Sequence, residues 1–186
     1  DASALVKYTE HNKNFVYCID YSHSQAGILA SGSADSTVRL WDVRQPDSTA
    51  TIHSSGEVLC AKFNPSKDYE LVYGNTNSLA YNYDIRKPDS PLQLFAEHKG
   101  AVCGVSFHKH DQIVTQSVDN SLKLWDVAHP EKAIRTFVGH HNTSKFTGLT
   151  CKRDHIAVGS EDNSVVVYSI VSCQPILRHS FETGIK

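Results

Sequence analysis

Residues 37–43 read TVRLWDV and residues 121–127 read SLKLWDV, each setting polar or charged positions against apolar ones by turns. A period of two sends successive side chains to opposite faces of an extended chain, so both stretches predict strands with one buried face. FVYCIDY (15–21) and GILASGS (27–33) lead into the first of them across segments rich in Ser, Gly, Asp and Asn, which are turn formers. LVKYTEH (5–11), ATIHS (50–54), LQLFAEH (92–98), AIRTFVGH (133–140) and PILRHSF (175–181) predict a further strand preceding or closing each group. Helical periodicity is absent throughout. The expectation is an all-β chain.

The groups repeat. The aromatics that end the third strand stand at Trp41, Tyr83, Trp125 and Tyr168, spaced by 42, 42 and 43 residues. A period of about 40–45 residues with a Trp-Asp signature belongs to WD repeats, in which each unit builds a four-stranded blade of a β-propeller. The chain is therefore read as a WD-repeat β-propeller of about four consecutive blades from a seven-bladed ring. Residues 1–11 are the end of a preceding blade, and the units run 11–53, 54–96, 97–138 and 139–182. The start at Asp1 rather than Met, and four units where a ring needs more, predict a slice of a larger propeller. Its uncovered sheet faces would favour association.

The repeated chemistry has a physical reason. A buried carboxylate is costly unless its oxygens accept hydrogen bonds, and imidazole and backbone N–H groups supply them. A hydroxyl then links the imidazole to an indole N–H. Unit one offers His11, Ser31, Asp35 and Trp41; unit three offers His98, Thr115, Asp119 and Trp125. Unit two has Tyr73, Asn77 and Tyr83 with no matching His, while unit four keeps His140 and Asp162 beside Val158 and Tyr168. These residues are expected to hold blades together and to do no chemistry.

Composition narrows the function. A net charge of −2 gives no basic footprint, so neither nucleic acid nor an anionic membrane is an expected partner. No apolar run approaches the ~18 residues of a membrane span. Five cysteines without a Cys-x-x-Cys pair read as reduced thiols of a cytosolic or nuclear protein. Eleven histidines raise the question of a metal. Yet HKH (108–110) and HH (140–141) lack a Cys pair or a helical His-x-x-x-His partner, and Cys18 and Cys60 fall at equivalent strand positions, as small core residues would. No cofactor, metal or catalytic residue is expected.

Beyond the repeat signature, YTEHNKNFVYCIDYS (8–22), EHKGAVCGVSF (97–107) and above all FVGHHNTSKFTGLTCKRDHIAVGSEDNSVVVYS (137–169) closely resemble the C-terminal propeller of the constitutive photomorphogenic E3 ubiquitin ligase and its relatives, the suppressor of phytochrome A proteins. The resemblance implies a substrate receptor of a ubiquitin-ligase complex, with RING and coiled coil outside this chain. It also implies nuclear and cytoplasmic residence, light signalling, and contact with related ligase subunits through that coiled coil. Family members bind Val-Pro peptides with acidic flanks on the propeller's top face. By position the resemblance assigns peptide binding to Lys13, Tyr17, Lys99 and Phe146, with aromatic walls for Val-Pro and lysines for the acidic flank. Tyr17 stands where the family has Trp, Gly100 replaces a second Lys, and Thr143 and Ser144 replace Glu and Lys. WDVR (41–44) and YDIR (83–86) resemble the box by which receptors dock on the damaged-DNA-binding adaptor of cullin-4 ligases. The adaptor candidates are Trp41, Asp42, Arg44, Tyr83, Asp84 and Arg86, with the guanidinium forks engaging oxygens of the adaptor. The competing reading is a generic WD-repeat scaffold unconnected with ubiquitin.

Overall fold

The computed structural model describes residues 7–109, 111–144 and 147–182. Among the described residues sixteen strands form four antiparallel sheets, each a meander of four strands consecutive in sequence. The first holds β1 (Val16–Tyr21), β2 (Ile28–Ser33), β3 (Thr37–Asp42) and β4 (Ser48–His53), and the second β5 (Val58–Phe63), β6 (Glu70–Asn75), β7 (Ala80–Asp84) and β8 (Gln93–Phe95). The third holds β9 (Val102–His108), β10 (Gln112–Ser117), β11 (Ser121–Asp126) and β12 (Arg135–Val138), and the fourth β13 (Leu149–Lys152), β14 (His155–Ser160), β15 (Ser164–Ser169) and β16 (Pro175–Ser180). These are four propeller-type blades. Residues 7–11, expected to be a strand closing an earlier blade, form no strand, because the meander gives such a segment only a preceding third strand to pair with and none is described.

The sheets stack face to face, with first strand against first strand: β1 on β5, β5 on β9, β9 on β13. Ala30, Val38, Leu40 and Ile52 of the first sheet pack on Ala61, Phe63, Leu71 and Tyr73 of the second. The second and third join through Val72, Phe95, Val105, Ile113 and Trp125, the third and fourth through Leu122, Phe137, Ile156, Val166 and Tyr168. Complete burial of one such side chain contributes about 1.5–3 kcal/mol, so each junction is a core in its own right. Close approach has a local requirement. A Cβ at Gly32 would lie 2.6 Å from Cys18 Sγ and 2.5 Å from Val58 Cγ1, so glycine is what lets the first two sheets meet.

A hydrogen-bonded chain runs through the first and third blades. Asp35 accepts from His11 Nδ1 at 2.7 Å, His11 Nε2 meets the Ser31 hydroxyl at 2.6 Å, and that hydroxyl accepts from Trp41 Nε1 at 2.8 Å. Asp119, His98, Thr115 and Trp125 repeat the arrangement at 3.0, 2.6 and 2.8 Å. Asp35 also takes the Thr37 hydroxyl and Asp119 the Ser121 hydroxyl, each at 2.6 Å. The glutamate before each histidine extends the chain outward. Glu10 holds Arg39 and the Ser48 N–H, and Glu97 holds Lys123 and the Ala133 N–H, so third and fourth strands are clasped together.

The other two blades use tyrosine. Tyr73 stacks on Tyr81 and Tyr83, with ring centroids 5.2 and 5.8 Å apart, and Asn75 reaches Ser54 and Ser55 where the other units have His. In the fourth blade His140 Nδ1 meets the Tyr168 hydroxyl at 3.0 Å without an intervening Ser or Thr. Asp162 there pairs with Arg178 and Ser164 instead of His140. In the first, third and fourth blades the outer aromatic is covered by a residue preceding its own sheet: Phe95 packs on Trp125, Phe137 on Tyr168, and Tyr8 on Trp41 with ring centroids 4.6 Å apart.

Burial would raise the Asp119 carboxyl, but hydrogen bonds from His98, Ser121 and the Lys99 N–H outweigh it and hold the group well below the usual 3.8. A carboxyl lowered by folding stabilises the fold above its unfolded pKa, and that contribution fades as pH falls toward the folded value. Asp119→Asn should therefore cost about 2 kcal/mol at neutral pH. The gap to the wild type should narrow below about pH 4, as read by urea unfolding across that range.

Candidate functional site

The first strands of all four sheets share one inner wall. Between them lies a cavity of about 310 Å³ lined by Tyr17, Cys18, Ile19, Cys60, Ala61, Lys62, Cys103, Gly104, Val105, Thr147 and Leu149. Its lining is mixed, with Ile19, Val105 and Leu149 beside Tyr17, Thr147 and Lys62, whose ammonium is held by Asp20 at 2.7 Å. Each inner strand that meets this cavity from the first three sheets carries a bulge at its entrance, which leaves Tyr17, Leu59 and Cys103 outside the regular ladder. That bulge is what turns Tyr17 toward the cavity mouth. Its hydroxyl donates to Glu57 at 3.1 Å, a bond that raises the phenol above its ordinary value, and its ring stacks on Phe15 at 6.4 Å.

The remaining peptide candidates stand apart from Tyr17. Lys13, at positive φ beside Asn12, lines a separate concavity with Lys7, Tyr8, Thr9 and Asn14. Lys99 donates its backbone N–H to Asp119, and its side chain lines a groove of about 230 Å³ over the third sheet with Glu97, Lys123 and Thr136. Phe146 lies outside the described residues. Of the four, Tyr17 alone meets the inner cavity among the described residues.

The connection into the fourth sheet differs from the other three. In units one to three, the backbone acceptor facing the second strand's end lies three positions before the first strand's pairing residue: Phe15 to Cys18, Glu57 to Cys60, Ala101 to Gly104. In unit four the same interval runs from His141 to Gly148, four residues longer. Three side chains hold this longer connection. Asn142, wholly buried, gives its Nδ2 to Ser117 O and Cys103 Sγ, while its N–H goes to Asn120 Oδ1 at 2.7 Å. Gln116 Nε2 reaches the Thr147 hydroxyl at 2.6 Å. Glu161 accepts from the Thr143 and Ser144 N–H groups at 2.8 and 2.7 Å and from the Thr143 hydroxyl at 2.9 Å. The sequence reading missed these residues; the signal was the stretched interval and a Glu on the repeat's Ala34–Thr76–Val118 position.

At the turns after the third strands, Asp42 takes Arg44 in a bidentate fork at 2.7 and 2.6 Å, and Asp84 takes Arg86 at 2.9 and 2.6 Å. A turn, and not a shared strand face, brings each Asp and Arg together. β3 ends at Asp42, and each Asp accepts the N–H two residues on at 3.0 Å, so a side-chain-capped turn brings the Arg back. Bonds from the guanidinium lower both carboxyls, and Arg86 also lies 3.7 Å above the Tyr69 ring. Trp41 and Tyr83 are buried within their blades, and Asp42 and Asp84 nearly so. Arg44 and Arg86, with side chains 72% and 61% exposed, are what this edge presents.

The family profile "WD domain, G-beta repeat" matches residues 3–42, 89–126 and 131–169, more than half of the sequence. The chain belongs to the WD-repeat family. The match leaves out β5 to β7 of the tyrosine-built second blade, whose structure is nonetheless a four-stranded sheet like its neighbours. Over 47 residues, 25% of the chain, this WD-repeat chain is 43% identical to Protein SPA1-RELATED 4 of Arabidopsis thaliana and 45% identical to E3 ubiquitin-protein ligase COP1 of Pisum sativum. The matched stretches span 6% and 7% of those relatives' lengths. The resemblance to the constitutive photomorphogenic and suppressor of phytochrome A proteins holds at this level.

Among the described residues no three His, Cys, Asp or Glu side chains converge as a metal site. The thiols are free. Burial pushes Cys18 up to about 12, Cys151 up to about 11 and Cys60 well above its ordinary value, so these are poor nucleophiles. Iodoacetamide at about pH 8 should alkylate Cys60 at least about a hundredfold more slowly in the folded protein than in urea. Peptide mapping reads the rates, and equal rates would mean that the inner wall is open.

Proposed function

We propose that this WD-repeat chain serves as the substrate-receptor part of an E3 ubiquitin-ligase complex, carrying no catalytic group of its own. The observation that carries the reading is the 43–45% identity to two proteins, one named as a ubiquitin ligase and both sharing one matched length of 47 residues. The inner cavity supports it: about 310 Å³ suits one or two small apolar side chains, such as the Val-Pro pair that the resemblance implies. In this reading Tyr17 and Phe146 wall the dipeptide and Lys13 and Lys99 draw its acidic flank from a distance, which makes the lysines act on association rate more than on residence. Arg44 and Arg86 serve the damaged-DNA-binding adaptor of cullin-4 ligases. Their forks are already fixed by Asp42 and Asp84, so little side-chain freedom is lost on docking.

An acidic Val-Pro peptide titrated against the protein should bind, and Tyr17→Ala or Phe146→Ala should weaken it at least about tenfold. Equal affinity for a peptide with Val-Pro replaced by Ala-Ala would point instead to a general scaffold. For the adaptor, Arg44→Ala with Arg86→Ala should abolish co-purification with the purified adaptor; retention by the double variant would remove the arginines from that role.

A further inference from the structure

We infer that Glu161 is a positioning residue for the recognition face, fixing Thr143 and Ser144, at the start of the long connection into the fourth sheet, in one conformation before a peptide arrives. The repeat supplies its own control. Ala34, Thr76, Val118 and Glu161 all donate their backbone N–H across to the incoming connection, to Phe15, Glu57, Ala101 and His141 respectively, so the four positions are equivalent. Three carry no charge, and their connections are short. Only the unit with four added residues has a carboxylate there, and its side chain is 9% exposed. Both oxygens are engaged: Oε1 takes the N–H groups of Thr143 and Ser144, Oε2 the Thr143 hydroxyl, and the His141 imidazole lies 3.8 Å away.

The physical need is clear. Four extra residues bring N–H groups that no strand ladder satisfies, and a free connection would be ordered only when a ligand binds, at a loss of affinity. A carboxylate taking two successive N–H groups supplies charge-assisted bonds, which are about twice as strong as neutral ones. Asn142 anchors the entrance of the connection in the third sheet and Gln116 ties its exit at Thr147, which lines the inner cavity. The carboxylate therefore sets the backbone of Thr143 and Ser144, directly after the Asn142 anchor.

That this serves a ligand rests on the peptide reading above; that it fixes the backbone does not. Amide exchange by NMR separates the two. In Glu161→Gln, exchange at Thr143 and Ser144 should accelerate at least about tenfold while β14 and β15 amides and the melting midpoint stay as in the wild type. Thr143→Val, which removes only the hydroxyl bond, should leave Ser144 slow. Unchanged exchange at 143 and 144, or acceleration spread through β14 and β15, overturns the positioning role. With backbone release seen, affinity for the acidic Val-Pro peptide should fall about fivefold; unchanged affinity overturns the link to recognition. A wild type that binds no such peptide sinks the peptide reading alone, and the exchange result still decides the role of Glu161.

Discussion

A carboxylate pulled out of water must be given hydrogen-bond donors, and the first and third blades are organised around that demand. Asp119 is supplied by an imidazole, a serine hydroxyl and a backbone N–H, and the imidazole then orients a threonine hydroxyl on which the indole of Trp125 rests. β10, β11 and the connection before β9 are thereby tied together around one ionised group. Because His98 follows β8 of the second sheet, the network of the third blade is completed by a segment leaving its neighbour. The same dependence is seen in Phe95 against Trp125 and in Glu97 against Lys123. Neither the third nor the fourth blade is a closed unit; each is finished by the chain arriving from the one before it.

Tyrosine in the second and fourth blades shows how far the network can be simplified. Tyr168 spans by itself the distance that a hydroxyl and an indole bridge elsewhere, and it meets His140 directly. With its carboxylate partner drawn away to Arg178, His140 stays in apolar surroundings, and burial lowers its imidazole to about 4. Such a blade keeps its shape with neutral groups. The second blade goes further and stacks three phenol rings in place of the imidazole and indole.

Strand positions were readable because alternating runs lie between turn formers. Burial does not follow the alternation, since both faces of β3 and β11 are covered and not the one expected. TVRLWDV became β3 and SLKLWDV became β11 with their Leu and Trp side chains buried. Residues 7–11 carry the same alternation but have no third strand beside them among the described residues, so no ladder forms there. The long fourth connection was hidden by compensation. β13 is four residues and the turn after it two, against seven and three around β9, so the Trp125-to-Tyr168 distance stays close to the repeat. A count between aromatics is blind to length moved from one end of a strand to the other. Surface roles were less legible still, since the fork at Arg44 comes from a capped turn that strand periodicity does not describe, and the lysines sit on separate concavities despite their equivalent places in sequence.

The anchoring of Asn142 carries a consequence for biosynthesis. Asn142-Thr143-Ser144 spells an acceptor sequence for N-linked sugar, yet the amide that would carry the sugar is sealed between the third and fourth sheets and spent on Ser117 and Cys103. An oligosaccharide transferred before folding would wedge those sheets apart, and one offered afterward would find no nitrogen to take it. The folded molecule is compatible with this tripeptide only while it stays unglycosylated.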